Sequence, residues 1–112
     1  MAELERIDDA HVSAEVLESE LPVVVDFTAA WCAPCRVMKP VLAELADERT
    51  DMRFVSIDVD ENPVSAATFG VLSMPTLMVF RAGQPVQTLI GARPKSRLAR
   101  ELPERDPELL AQ

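Results

Sequence analysis

The stretch Pro22-Val-Val-Val-Asp-Phe-Thr28 is followed, after two alanines, by Trp31-Cys-Ala-Pro-Cys35 and then by a long amphipathic segment. The first run is continuously apolar except for Asp26, a pattern typical of a central strand that is covered on both faces. Apolar residues then recur at four-residue spacing from Val37 to Leu45, which predicts a helix with one buried side. The sequence therefore places two cysteines where a buried strand ends and a helix begins.

Strands and helices alternate along the rest of the chain. Four more strands are predicted, at Leu4 to Ile7, Arg53 to Asp58, Thr76 to Phe80 and Val86 to Ile90. The last two flank the short loop 81–85 and are expected to form a hairpin. Because strands that alternate with helices are joined by right-handed parallel crossovers, the chain is predicted to be an α/β protein with a mixed sheet and helices on both faces.

Capping residues and prolines mark the ends of the other helices. Three are predicted: one after the Asp8-Asp9 pair, one between Asn62-Pro63 and Gly70, and one after Pro94. The Asp8-Asp9 pair is expected to cap the first of these helices, and Asn62 the second. Pro40 lies inside the helix that follows the cysteines, where it removes a backbone donor, so a kink is expected there.

Length, composition and charge exclude several classes of protein. The 112 residues suffice for one domain, and 48% apolar against 27% charged residues is in the globular range. The net charge of −8 disfavours nucleic-acid binding, because such a surface repels phosphates. No apolar run approaches the ~20 residues of a membrane-spanning helix. The acidic N-terminus lacks the features of an export signal, and a cytoplasmic protein is expected.

The two cysteines point to redox chemistry. A disulfide between Cys32 and Cys35 would close almost no loop and would constrain the unfolded chain little, so it would not serve as a structural staple. Cys32 is placed near a helix N-terminus, where free amides and the helix dipole favour a thiolate. Cys35 lies one turn further in and is expected to be less exposed. The spacing therefore assigns attack on a disulfide to Cys32 and the resolving step to Cys35.

Three other readings of the cysteines are weaker. Zinc prefers four ligands, and two cysteines with the distant His11 do not supply them, although a metal site that bridges two chains stays open. Covalent haem attachment would need a histidine at position 36, where Arg36 stands. Inert buried thiols would have no reason to adopt this spacing at a helix start.

Asp26 is the candidate proton acceptor. A carboxylate that follows three valines in a doubly covered strand is desolvated, and its pKa is expected to rise toward neutrality. The alternative is an ordinary solvated aspartate at the end of a strand.

Together these residues resemble the landmarks of the thioredoxin family, in order, across residues 1–102. The matching positions are Asp26-Phe27, Trp31-Cys-Ala-Pro-Cys35, Asp58 with Asn62-Pro63, Ser73-Met-Pro-Thr76, Gly83 and Gly91. The resemblance implies a thioredoxin fold with a five-stranded sheet over 1–102, followed by a C-terminal tail over 103–112. It also implies a protein-disulfide oxidoreductase that reduces disulfides in target proteins. Such a protein is expected to be a monomer without a bound cofactor, supplied with electrons from NADPH by a separate thioredoxin reductase.

The resemblance further implies roles for individual residues. Asp26 would accept the proton of Cys35 through water, and Pro75 would be a cis proline beside the sulfurs. The residues expected to contact target proteins are called here the target-binding rim; they are Trp31, Ala33, Pro34, Met74, Pro75, Ile90, Gly91 and Ala92. For Met74 and Ile90, simple core packing is the alternative.

The chain departs from the family pattern at four places. Ala33 stands where glycine is usual, and Thr28 where a second tryptophan is common. Ser56 stands where a lysine often neighbours the buried aspartate, so Asp26 is expected to hold its proton more tightly. Pro103 shortens the last helix.

A different class of function, a thioredoxin fold that serves as a binding or holdase subunit of a larger assembly, is disfavoured by the intact pair of cysteines, Asp26 and Pro75.

Overall fold

A computed structural model of the protein describes residues 3–105. Within this range the strands are β1 (Glu5–Arg6), β2 (Val23–Thr28), β3 (Arg53–Asp58), β4 (Thr76–Arg81) and β5 (Gln84–Ile90). The α-helices are α1 (Ala33–Glu48), α2 (Pro63–Thr68) and α3 (Lys95–Glu101), and a π-helical turn spans Ser13–Leu17. None of these helices has both the length and the apolar character needed to cross a membrane.

The strands form one mixed sheet in the order β1-β3-β2-β4-β5, which confirms the predicted five-stranded α/β fold. β1, β3 and β2 are parallel, whereas β4 and β5 are antiparallel to their neighbours. β2 lies at the centre, and Asp26 pairs in register with Ser56 on one side and with Leu77 on the other. The centre of the sheet therefore leads directly into the cysteine segment.

The core lies on both faces of β2, as its continuous apolar pattern predicts. Val23, Val25 and Phe27 belong to one apolar cluster. Val24 belongs to a second cluster, with Met38 and other residues of α1. Side chains alternate across a strand, so Asp26 shares the α1 side of the sheet with Val24.

The predicted helix caps are only partly confirmed. Asp8 caps the turn that leads into the π-helical segment, because its carboxylate accepts the His11 amide at 3.0 Å. Asn62 is the N-cap residue of α2, but its side chain makes no hydrogen bond to that helix. Asp9 caps α2 from a distance, because its carboxylate accepts the amide hydrogens of Val64 (3.2 Å) and Ser65 (2.8 Å). Asn62 is occupied elsewhere: its amide nitrogen donates to the Asp58 carbonyl, and its oxygen accepts the Asp9 amide.

The two outer strands differ from the prediction in length. β1 comprises two residues rather than four, although the Ile7 amide still donates to the Ser56 carbonyl at 2.8 Å. β5 begins at Gln84, so Pro85 lies inside this edge strand, where its missing donor can be tolerated. The β4–β5 turn contains Gly83 at φ +79°, and a Cβ there would lie 3.0 Å from the Leu17 carbonyl oxygen.

The end of the described chain packs against α1. α3 ends at Glu101, and Leu102 is buried. The Arg49 guanidinium donates to the Pro103 carbonyl at 2.8 Å, and Arg105 donates to the carbonyl of Glu48 at 3.0 Å. The rest of the tail expected over 103–112 lies outside the described residues. α1 itself runs through Pro40 without a break.

Candidate active site

Cys32 and Cys35 are joined by a disulfide at the N-terminus of α1, with their Cα atoms 5.3 Å apart. Cys32 is the N-cap residue, and its sulfur accepts the backbone amide of Cys35 at 3.2 Å. Pro34 occupies the first turn, where a helix needs no amide donor from it. In the reduced protein the same amide and the helix dipole would stabilise a thiolate on Cys32.

Both sulfurs are enclosed, but to different degrees. Cys32 retains 3% of its surface, whereas Cys35 retains none. The two cysteines form an apolar cluster with Ala29, and Met74 packs against this cluster. Met74 therefore lies beside the disulfide rather than in the main core.

The Met74–Pro75 peptide bond is cis, as the resemblance implies. Pro75 is buried, and its carbonyl oxygen accepts the Gly91 amide at 2.9 Å. Gly91 itself has a φ of +96°, in the region that favours glycine. This hydrogen bond joins two separate segments of the target-binding rim.

The remaining rim residues are mostly exposed. Ala33, Pro34 and Ala92 are exposed, and the side chain of Ile90 is 64% exposed, which is incompatible with core packing. Trp31 is 65% exposed and is anchored by a 2.8 Å hydrogen bond from its indole nitrogen to the Asp60 carboxylate. Asp60 lies after β3, and its contact with Trp31 is not apparent from the sequence.

Asp26 is buried on the α1 side of the sheet, with 2% of its surface exposed. Desolvation raises its pKa from the ordinary 3.8 to about 7, and the positive charge of Lys39 opposes this rise. Asp26 Oδ1 has no hydrogen-bond partner among residues 3–105, and neither has the buried hydroxyl of Thr28. The solvated alternative for Asp26 is therefore wrong.

Both unpartnered oxygens belong to residues that line a cleft of about 500 Å³. Its walls come from β2, from Lys39, Pro40 and Ala43 of α1, from Ser56 and Asp58 of β3, and from the N-terminal segment and the loops. Ala29 lines this cleft and also packs against both cysteines. The cleft therefore extends from Asp26 to the immediate neighbourhood of the disulfide.

Lys39 was missed by sequence reasoning, which considered only position 56 as the place for a cation near Asp26. Ser56 is indeed the register partner of Asp26 on β3. The positive charge comes instead from α1, one helical turn after Cys35. The i, i+4 spacing of Cys35 and Lys39 is the sequence signal that could have indicated this placement.

His11 lies on the surface, where its imidazole contacts the Asp8 carboxylate at 2.5 Å. This contact raises the pKa of His11 above its ordinary value. Among the described residues, no three or more His, Cys, Asp or Glu side chains form a group that could hold a metal ion.

Sequence comparisons with known proteins point to the thioredoxin family. The Thioredoxin family model matches residues 3–104. The thioredoxin of Mycobacterium tuberculosis is 48% identical over 105 residues, which cover 93% of this chain and 90% of that protein. Thioredoxin 1 of Synechococcus elongatus is 48% identical over 97 residues, covering 86% of this chain and 91% of its own length.

A third relative combines two activities in its name. The bifunctional thioredoxin reductase/thioredoxin of Mycobacterium leprae is 45% identical over 104 residues, which cover 92% of this chain and 23% of that protein. The match over nearly the whole chain, together with a redox-active pair at the start of α1, makes this protein a member of the thioredoxin family and a protein-disulfide oxidoreductase that works by dithiol–disulfide exchange.

Proposed function

We propose that this chain is a general reductant of protein disulfides in which Cys32 attacks the target and Cys35 resolves the intermediate. The observation that carries this assignment is the asymmetry of the pair. The Cys32 sulfur accepts an amide hydrogen at the N-terminus of α1 and keeps some exposed surface, whereas Cys35 is fully buried. A target sulfur can therefore approach Cys32 but not Cys35.

The exchange proceeds in two steps that balance in atoms and electrons. The Cys32 thiolate attacks one sulfur of a target disulfide, the target S–S bond breaks, and the other target sulfur leaves as a thiolate. The resulting mixed disulfide is then attacked at the Cys32 sulfur by the Cys35 thiolate. The second target sulfur leaves, the Cys32–Cys35 disulfide forms, and two electrons have passed to the target.

Asp26 is proposed to accept the proton of Cys35 in the second step. Support comes from its pKa of about 7, which lets the carboxylate take up and release a proton near neutrality. Its unpartnered oxygen belongs to the lining of a cleft that shares Ala29 with the cysteine cluster. Water in this cleft would carry the proton between the two side chains.

The target-binding rim is proposed to receive the polypeptide around the target disulfide. Exposed Trp31 and Ile90 provide apolar surface against which the target polypeptide would pack. Met74 packs against the cysteine cluster, so target contact there would lie next to the sulfurs.

The electrons are proposed to come from NADPH through a separate thioredoxin reductase, with no cofactor held by this chain. The relative from Mycobacterium leprae, whose name joins both activities in one protein, supports such a partnership. We also propose a cytoplasmic monomer, because disulfide reduction suits a compartment that keeps thiols reduced.

Insulin reduction driven by dithiothreitol tests these roles. Cys32→Ser should abolish turnover and form no covalent complexes, because the attacking sulfur is gone. Cys35→Ser should also stop turnover. When this variant is reduced beforehand and separated from dithiothreitol, it should accumulate mixed disulfides with insulin, visible by mass spectrometry under non-reducing conditions. If both variants trapped insulin equally, the assignment of attack and resolution would be wrong. A wild-type protein that bound insulin without reducing it would instead be a binding subunit.

A further inference from the structure

Arg93 follows directly after the last residue of the target-binding rim, yet its side chain is only 6% exposed. A long cationic side chain is rarely buried unless its donors are paired. Here the guanidinium is directed back toward the rim backbone and toward α3. The connection between β5 and α3 therefore contains a buried charge.

The guanidinium holds two carbonyl oxygens of the rim. Nη2 donates to the carbonyl of Ile90 at 2.6 Å, and Nε donates to the carbonyl of Gly91 at 3.2 Å. The backbone amide of Arg93 contacts the Met38 sulfur of α1 at 3.5 Å. These contacts tie a short connection, which has no repeating hydrogen-bond pattern of its own, to the body of the protein.

Glu101 fixes the guanidinium from the other side. Nη1 of Arg93 donates to both carboxylate oxygens of Glu101, at 3.0 and 2.8 Å. The Glu101 carbonyl in turn accepts the side-chain amide of Gln87 on β5 at 2.7 Å. The planar fork of arginine suits this arrangement, because it presents several donors in fixed directions, which lysine does not.

We propose that Arg93 is a positioning residue for protein targets. It holds residues 90–92 in the conformation that receives the polypeptide next to a target disulfide. Its bonds act together with the hydrogen bond from the Gly91 amide to the Pro75 carbonyl, which ties the same segment to the cis proline. A segment that is ordered before binding loses less conformational freedom when the target docks, so affinity rises without a new contact.

This inference rests on the proposed function, because it assumes that the rim receives targets. It also separates two classes of substrate. A protein disulfide presents a chain that extends over the rim, whereas a small aromatic disulfide such as dithiobis(nitrobenzoic acid) needs only access to the Cys32 sulfur. Loss of Arg93 should therefore affect protein substrates selectively.

The test uses the full-length protein and compares two measurements. The first is KM and kcat for insulin with dithiothreitol as the electron donor, and the second is the single-turnover rate of the reduced protein on dithiobis(nitrobenzoic acid) after dithiothreitol has been removed. Arg93→Ala should raise the KM for insulin on the order of tenfold, as expected when a positioning contact is lost. Its rate with the small disulfide should stay within about twofold of wild type. Arg93→Lys should rescue insulin turnover only partly, because one ammonium does not reproduce the fork.

Arg97 provides the matched control. It also contacts the Glu101 carboxylate, at 3.2 Å, but its side chain is 57% exposed and makes no bond to the rim carbonyls. Arg97→Ala should leave both substrates unaffected. Hydrogen exchange of the amides in residues 91–93 should become faster in Arg93→Ala and not in Arg97→Ala.

Two further comparisons decide the outcome. If Arg93→Ala failed to fold, Arg93→Met, which keeps most of the buried stem, would be measured against Arg97→Met with the same expectations. An equal loss on both substrates, or no loss on insulin, would overturn the role of Arg93. A wild-type protein that reduced neither substrate would refute the proposed function itself.

Discussion

Asp26→Asn should stabilise the oxidised protein at neutral and higher pH, and its stability relative to wild type should increase as the pH rises. In the folded protein the pKa of Asp26 is raised from 3.8 to about 7 by burial. Between these two values the folded state binds more protons than the unfolded state, so the free energy of unfolding falls with increasing pH. The loss of stability caused by ionising buried Asp26 is absent below about pH 4 and complete above about pH 7. Asparagine does not titrate, and the variant is free of this cost.

The size of the effect follows from the pKa change. Each pKa unit corresponds to about 1.4 kcal/mol, so the rise from 3.8 to about 7 is worth about 4 kcal/mol once Asp26 is fully ionised. A buried amide without partners brings a pH-independent penalty of about 1–3 kcal/mol. The quantity to compare is therefore the change with pH in the stability difference between the two proteins, in which this constant penalty cancels.

Urea denaturation at several pH values between about 4 and 8 would measure the difference in stability between Asp26→Asn and wild type. The oxidised form is used so that the cysteines do not titrate. Thr28→Val is the matched control, because it removes the other unpartnered oxygen that lines the cleft without removing a titrating group. Its stability difference from wild type should be the same at every pH. If the curves for Asp26→Asn and wild type were parallel as well, Asp26 would not be the buried acid described here.

Two more predictions concern residues that act over a distance in the sequence. Lys39→Ala should raise the pKa of Asp26 further and move resolution of the mixed disulfide by Cys35 to higher pH, because the charge that opposes the rise is removed. Carbon NMR titration of the Asp26 carboxyl would measure this pKa. Lys95→Ala is the control and should leave it unchanged. Asp9→Ala should lower Tm by a few degrees and speed proteolysis at α2, because it leaves two amides of the first turn uncapped. Its hydrogen bonds to Ser65 lower the pKa of Asp9, so the wild-type advantage should vanish as the pH falls below 3.8. An unchanged Asp26 titration, or an unchanged Tm, would contradict the respective assignment.

The sequence is most informative where the structure depends on neighbours along the chain. The buried strand through Asp26, the helix after the cysteines and the bounds of β3 all follow from local periodicity. The raised pKa of Asp26 follows too, because a carboxylate in a doubly covered strand is desolvated whatever packs against it. The cis peptide bond before Pro75 was predicted from the family resemblance alone.

The contacts that were not predicted join residues far apart in the sequence. Asp9 caps a helix that begins more than fifty positions later, and no local pattern distinguishes this aspartate from an ordinary cap of the next turn. From its local sequence, Arg93 would be assigned to the surface, in a connection that ends with proline. Its burial depends on a carboxylate of α3, which the local sequence does not indicate. Sequence periodicity indicates which side of an element is buried, but it does not indicate which polar groups meet there.

The two outer strands bear on how the protein behaves at high concentration. A protein that presents the proposed target-binding rim to other chains also has to avoid association with its own copies. β1 presents only two residues, the exposed charges Glu5 and Arg6, and β5 carries Pro85 near its start. β1 is too short to offer a row of backbone donors to a further strand, and Pro85 removes one donor from β5. The net charge of −8 adds repulsion between copies. Self-association by strand addition is thereby disfavoured, even though the proposed target-binding rim is left exposed for disulfide-containing proteins.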